Sequence, residues 1–281
     1  MDNLGSFFGE LRKSKGITQS KICKNIISRT TLSKFENGKL IPSAETFILL
    51  LDRLDISFDE FMYICRGYEL SNKNKIIKDF FSLFSNQNID TLYSIRNHCI
   101  LIQKESYSRI IDLVIPVLDS QIELYNNSKK EIPYLPKIQI SKIWQEIQLY
   151  SFWSLDDIKI LNCCLYLFPL ETATHIANQL LVQLNKYDNF TETRTLKCAI
   201  YLNLSLLLLQ NGQYHYAEKP ITQALILSKN TKRYDYYALS ISRQGLIKHS
   251  EELIQRGLQI SKLFSDTELE NLIQEEKNLF Y

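Results

Sequence analysis

From Lys73 to Leu279, apolar residues return at three- and four-residue spacing with few interruptions. That period constrains the fold more than anything else in the chain, because it is helical and will not sit in a sheet. Gly occurs 8 times and Pro 6 times in 281 residues, while Leu and Ile are abundant, which disfavours turn-rich β architectures. The spacing predicts helices over Lys73–Phe84, Ile89–Gln103, Ser106–Tyr125, Lys137–Tyr150, Asp156–Phe168, Glu171–Leu184, Glu192–Gln210, Tyr214–Ser228, Tyr234–His249, Glu251–Phe264 and Thr267–Leu279. Polar clusters separate them, such as Asn126-Asn127-Ser128, Asp188-Asn189 and Asn211-Gly212, and Pro133 and Pro136 bracket one further connection. Pro116 and Pro220 fall inside two of these spans and are expected near a helix start or at a kink. Successive helix pairs recur about every 35–40 residues, the range of repeats that stack into a solenoid.

The first 65 residues have a different grain. Leu4, Phe7, Phe8 and Leu11 make a helical face closed by Gly16, and Thr18 caps a second short helix through Lys24. Asn25-Ile26-Ile27 turns the chain into SRTTLSKFENGK, Ser28 to Lys39. Ser28 is an N-cap, Leu32 and Phe35 share a buried face, and Arg29, Thr30, Ser33, Lys34 and Asn37 lie away from it. Asn37-Gly38 ends this helix, since both residues tolerate a left-handed backbone. Ser43 and Ser57 open two more helices, giving five in all. Net charge over the whole chain is only +2, but Arg12 to Lys39 holds eight basic residues (Arg12, Lys13, Lys15, Lys21, Lys24, Arg29, Lys34, Lys39) against Glu36 alone. Such a local excess is an electrostatic footprint for phosphates. From Gly67 onward the 23 basic and 23 acidic residues balance, so the electrostatic case for DNA rests on the first domain.

The stretch from Leu11 to Phe61 resembles the Xre/Cro–repressor type of helix-turn-helix, through Lys15-Gly16-Ile17-Thr18-Gln19, Ser33 to Lys39 with Pro42, and Leu50 to Phe61. The resemblance implies that Gln19 and its helix N-terminus touch a phosphate and that Arg29, Thr30 and Lys34 face base edges. Asn37 and Lys39 would hold the adjacent backbone, with Ser33 on the same outer face. It further implies that Arg12 and Glu36 form a buried, structural ion pair. One departure stands out: the turn carries no glycine and is a residue short, although Asn25 can take the left-handed position. In the second part Gly212, Tyr214, Ala217, Ala224 and Leu225 stand where a tetratricopeptide repeat (TPR) places its turn glycine, aromatic and small packing residues.

An Xre-type head, the phrase LLLDRLDISFDEF and a helical-repeat body together resemble the Rgg/GadR/MutR family of Gram-positive transcriptional regulators, within the peptide-pheromone receptor group. The expected fold is therefore all-α: a five-helix, lambda-repressor-like helix-turn-helix domain at 1–66, a linker at 67–74, and a right-handed α-solenoid of TPR-like helix pairs at 75–281. The resemblance implies a homodimer on double-stranded promoter DNA, controlled in quorum sensing by a short hydrophobic signalling peptide in the concave face of the repeats. Asn162 and Asn203 each interrupt a strongly apolar helix. They read either as clamps on the backbone of an extended peptide or as amides bonding neighbouring helices. Arg194 reads either as an anchor for a peptide carboxylate or as a solvated surface charge.

Other classes find little support. The six cysteines form no C-x-x-C pair and sit in apolar helical surroundings, which suits core packing. No histidine pairing with metal-ligand spacing, phosphate loop or nucleophile elbow is present, so no metal, cofactor or enzymatic activity is expected. The start of the chain does not read as a signal peptide, and the apolar runs Ile160–Phe168 and Ile200–Leu209 fall short of a membrane span. A cytoplasmic location follows. The competing expectation keeps DNA binding and gives the repeats only dimerisation or a protein partner.

Overall fold

The computed structural model describes residues 4–82, 89–126 and 134–281, and forms two compact units, Met1–Lys75 and Ile76–Tyr281. Met1–Asn3, the end of the expected Lys73–Phe84 helix, and the Asn127-Ser128 and Pro133 breaks lie outside the described residues.

In the first unit α1 is Leu4–Ser14, α2 Gln19–Ile22, α3 Arg29–Glu36, α4 Ala44–Asp52 and α5 Phe58–Cys65. The four caps expected from the sequence form. Thr18, Ser28, Ser43 and Ser57 each accept a hydrogen bond from the backbone N–H three residues on, at 3.2, 3.0, 3.2 and 3.1 Å. Each cap contributes about 1 kcal/mol, which matters for helices this short. Phe8, Leu32, Phe35, Phe47, Leu50 and Phe61 make the core. Phe47 stands at its centre, with edge-on contacts to Phe35 (5.7 Å) and Phe61 (5.3 Å). α2 ends at Ile22, two residues earlier than expected, and Asn25 beyond it is left-handed at φ 61°.

α6, Asn72–Ser82, begins inside the stretch expected as linker, where the Ser71 hydroxyl accepts from the Asn74 N–H at 3.2 Å. The second unit continues with α7 Ile89–Glu105, α8 Arg109–Asn126, α9 Tyr134–Ile147, α10 Leu155–Cys163, α11 Leu170–Leu184 and α12 Arg194–Gln210. α13 Tyr214–Thr231, α14 Tyr234–Lys248, α15 Glu251–Leu263 and α16 Thr267–Phe280 complete it. Each of the eleven expected spans corresponds to one helix. The expected Asp156–Phe168 helix is shorter: α10 stops at Cys163 and a 3-10 turn, Leu165–Leu167, follows. Pro169 keeps the chain from running on helically past that turn, since the residue before a proline is pushed out of the helical region, and Phe168 is extended at ψ 153°. Pro116 and Pro220 lie in the interiors of α8 and α13 rather than in their first turns, and Pro136 lies in the first turn of α9 rather than in a connection.

Most consecutive helices from α7 to α16 pack on each other, and in the series α8, α10, α12, α14, α16 each of the first four also touches the next. Packing concentrated between near neighbours along the chain is the signature of stacked helix pairs. Ala217 and Ala224, both wholly buried, let α12, α13 and α14 approach closely. The continuous layer is locked by a buried network. Arg243 of α14 donates to both oxygens of Glu276 in α16 at 2.8 and 2.6 Å, and to Leu202 O (2.6 Å) and Ser205 Oγ (3.0 Å) in α12. Arg243 and Glu276 are 3% and 4% exposed, so each charge depends on the other.

Candidate nucleic-acid interface

α3 is an amphipathic helix with a sharp division of labour. Leu32 and Phe35 are buried in the domain core, while Arg29, Thr30 and Lys34 are exposed and Ser33 is half-buried. The Ser28 cap fixes where the helix starts. Its end is a Schellman closure: Gly38 N–H donates to Phe35 O and Lys39 N–H to Lys34 O, both at 2.8 Å. Gly38 alone carries the left-handed backbone (φ 69°), since Asn37 stays at φ −91°. Asn37 instead uses its side chain, whose Nδ2 donates to Ser33 O at 2.7 Å. Lys39 is exposed at the start of the following loop.

The turn into α3 works without glycine. Asn25 takes the left-handed conformation, and the N–H groups of Ile26 and Ile27 both donate to Cys23 O, at 3.0 and 3.1 Å. Arg53, just beyond α4, donates from Nη2 to Lys24 O at 3.3 Å and so braces the turn from outside. Sequence reasoning missed Arg53, which lies outside the basic run and has no spacing signal linking it to the turn.

Beneath α3 lies the ion pair that the helix-turn-helix resemblance implied. Arg12, 5% exposed, donates from Nε to Glu36 Oε1 (2.6 Å), from Nη2 to Glu36 Oε2 (2.8 Å) and from Nη1 to Ile17 O (2.5 Å). The hydrogen bond to Glu36 raises the guanidinium above its usual range, against the opposing effect of burial. For Glu36, burial opposes the charge, but the hydrogen bonds from Arg12 and Gln19 outweigh it and hold the carboxyl below the ordinary range. Gln19, expected beside a phosphate, also joins this node: its Nε2 donates to Glu36 Oε2 at 2.8 Å.

This arrangement sorts the cations. Arg12 is neutralised internally and Lys15 donates to Leu54 O at 2.8 Å. Lys13, Lys21, Lys24, Arg29, Lys34 and Lys39 are exposed and form no ion pair among the described residues. Thr30 and Lys34, four apart, share one helix face, and Arg29 stands beside Thr30 at the start of the helix. A guanidinium, a hydroxyl-methyl and an ammonium group on such a face match the major-groove base edges, and flanking cations match phosphates.

In the second unit, Asn162 and Asn203 do not stand as separate rungs. Asn203 Nδ2 donates to both Asn162 O and Asn162 Oδ1 at 3.2 Å, and Asn162 is 3% exposed. The pair bonds α12 to α10, the second of the two readings available from sequence. Arg194 is exposed at the start of α12 and pairs with Glu192 at 2.7 Å. No helix among the described residues is long and apolar enough to cross a membrane.

Residues 9–61 match the helix-turn-helix family, and residues 107–239 match the C-terminal domain of the HTH-type transcriptional regulator Rgg. Among solved structures, the chain is similar to a Listeria monocytogenes EGD-e protein assigned as a transcriptional regulator, with TM-score 0.79, 21% identity and coverage of 99% of this chain and 97% of that one. It is also similar to the SHP pheromone receptor Rgg2 of Streptococcus dysgalactiae, with TM-score 0.71, 15% identity and 97% coverage of each chain. Bacillus thuringiensis PlcR, solved in complex with the peptide PapR7 and DNA, matches with TM-score 0.67, 15% identity and coverage of 97% of this chain and 99% of that one. At these identities the structural likeness is one of fold.

Proposed function

Because the chain belongs to the Rgg family of helix-turn-helix transcriptional regulators, we propose that it is a cytoplasmic, peptide-controlled DNA-binding regulator and not an enzyme. The observation that carries the DNA half is the outer face of α3: Arg29, Thr30 and Lys34 are exposed while the same helix is anchored beneath by Arg12–Glu36. Arg29 reads guanine through its fork, the Thr30 methyl meets thymine, and Lys34 donates to a base edge or the adjoining phosphate. Lys39, Lys21 and Lys24 supply phosphate contacts, and Asn37 and Ser33 close the helix end that carries the first of them. Gln19 acts chiefly through Glu36. A homodimer places two such heads on half-sites about one helical turn, or a multiple of it, apart.

The peptide half is supported by the architecture that the second unit shares with Rgg2, a pheromone receptor, and with PlcR, crystallised with a peptide. The even-numbered layer α8 to α16 offers a ladder of helices along which a short hydrophobic peptide would lie. Asn203 lies in this layer, but its amide engages Asn162, and Arg194 engages Glu192. A peptide that used either residue would first have to displace that partner.

The test is a promoter-wide footprint with the full chain, repeated with and without short hydrophobic peptides encoded beside the gene. Protection that is lost or relaxed in sequence preference by Lys34→Ala is expected, with a calorimetric heat for one of the peptides. No protection at all overturns the DNA half, and a Lys34→Ala footprint identical to the wild type overturns the role of Lys34 on the reading face. No heat with any neighbouring peptide favours a repeat unit that only dimerises or binds a protein.

A further inference from the structure

The aim of a recognition helix is set by whatever fixes its two ends. At its entry α3 is held by left-handed Asn25 and by Arg53 on Lys24 O. Its exit is gripped by one face of α1. Gly5, Gly9 and Arg12 are spaced i, i+4 and i+7 and so form a stripe. Arg12 holds the Glu36 carboxylate, and Gly9 lies over the stem of the same residue, where a Cβ would come within 3.2 Å of Glu36 Cγ. Gly5 is the tightest point: a Cβ built on it would sit 1.8 Å from Phe35 O and 2.7 Å from Phe35 C. Both atoms are backbone, so no side-chain adjustment relieves the overlap. The Phe35 carbonyl is also the group that accepts the Gly38 N–H in closing α3.

We infer that Gly5 is a positioning residue for DNA recognition: its missing side chain lets the α1 backbone seat on the Phe35 carbonyl and thereby sets the tilt of α3. The inference rests on the reading of α3 as the DNA-reading helix. A methyl group at position 5 pushes on the last turn of α3 and on the closure that carries Asn37 and Lys39. The entry end stays anchored, so α3 pivots and Arg29, Thr30 and Lys34 shift against the base edges. Phosphate contacts made by flexible lysines tolerate such a shift, whereas fork geometry at a base does not. The expected signature is therefore a loss of sequence discrimination, not a uniform loss of affinity.

The experiment selects bound duplexes from a random-core DNA pool with the full-length wild type, Gly5→Ala and Gly9→Ala. Each protein is first checked for native helical content, and affinity for unselected duplex is measured alongside. The wild type enriches a motif, and Gly5→Ala prefers that motif over unselected duplex by about tenfold less or worse, with its affinity for unselected duplex retained. Gly9→Ala, which meets only a side-chain stem, stays close to wild type. A folded Gly5→Ala with undiminished preference, or with equal loss on both duplexes, overturns the inference. If Gly5→Ala does not fold, Gly9→Val, which presses on the same turn through Glu36, takes its place under the same criteria, and failure of both to fold counts against positioning. A wild type that enriches no motif instead refutes the DNA reading itself.

Discussion

Replacing Glu36 with Gln tests the ion-pair node with little change in shape. The substitution removes the charge that faces Arg12, whose side chain is only 7% exposed and has no other acidic partner in the described structure. Removing one member of a buried pair leaves the other uncompensated and costs about 3–5 kcal/mol. The loss falls on a unit whose total stability is of the order of 5–15 kcal/mol. With a urea dependence near 1–1.5 kcal/mol/M for so small a unit, the midpoint drops by about 2 M or more. The two units can be followed separately, because both tryptophans, Trp144 and Trp153, lie in the second. Far-UV circular dichroism should show the shifted transition, and tryptophan fluorescence should not. Acid supplies a second check. The carboxyl of Glu36 is held below its usual range, so its contribution is present above the unfolded value near pH 4.3 and is lost as pH falls through the folded value. The gap between wild type and Glu36→Gln should therefore narrow in acid. A midpoint change worth under about 1 kcal/mol at neutral pH, or a gap equally wide at pH 3, refutes the argument.

Further outcomes follow from the same geometry. Asn25→Ala should lose about 1 kcal/mol from the first unit because its backbone is left-handed, whereas Asn25→Gly should be neutral or slightly stabilising in the same urea titration. Arg243→Met should destabilise the second unit by about 3–5 kcal/mol in the tryptophan signal, and Arg243→Met with Glu276→Leu should recover most of that loss. Asn203→Ala should cost that unit about 1–3 kcal/mol, since it removes the amide that links α12 to the buried Asn162.

What could be read from sequence was whatever depends on neighbours along the chain. The caps at Thr18, Ser28, Ser43 and Ser57, the burial of Leu32 and Phe35, and the glycine ending α3 are local, and each appears in the structure. Helical periodicity located the helices of the second unit for the same reason. What escaped is contact across elements. Gly5 looks like an indifferent helix residue until Phe35 O is found against it, and Arg53 is anonymous until Lys24 O is in view. Asn162 and Asn203 are 41 residues apart, and only the stacking of α10 on α12 brings the two amides together. Gln19 carries a side chain suited to phosphate, and nothing local to it announces Glu36 as the competing partner.

The claim on which the rest depends is that the outer face of α3 reads bases. The measurement that meets it most directly is the position-by-position base preference of the full-length protein, compared with Arg29→Ala on the duplex that the wild type selects. The expected result is a loss of about 1–3 kcal/mol on that duplex, with preference relaxed at one or two adjacent positions and kept elsewhere. Equal weakening on every sequence would make Arg29 a phosphate contact, and unchanged binding with unchanged preference would contradict the assignment of α3 as the reading helix.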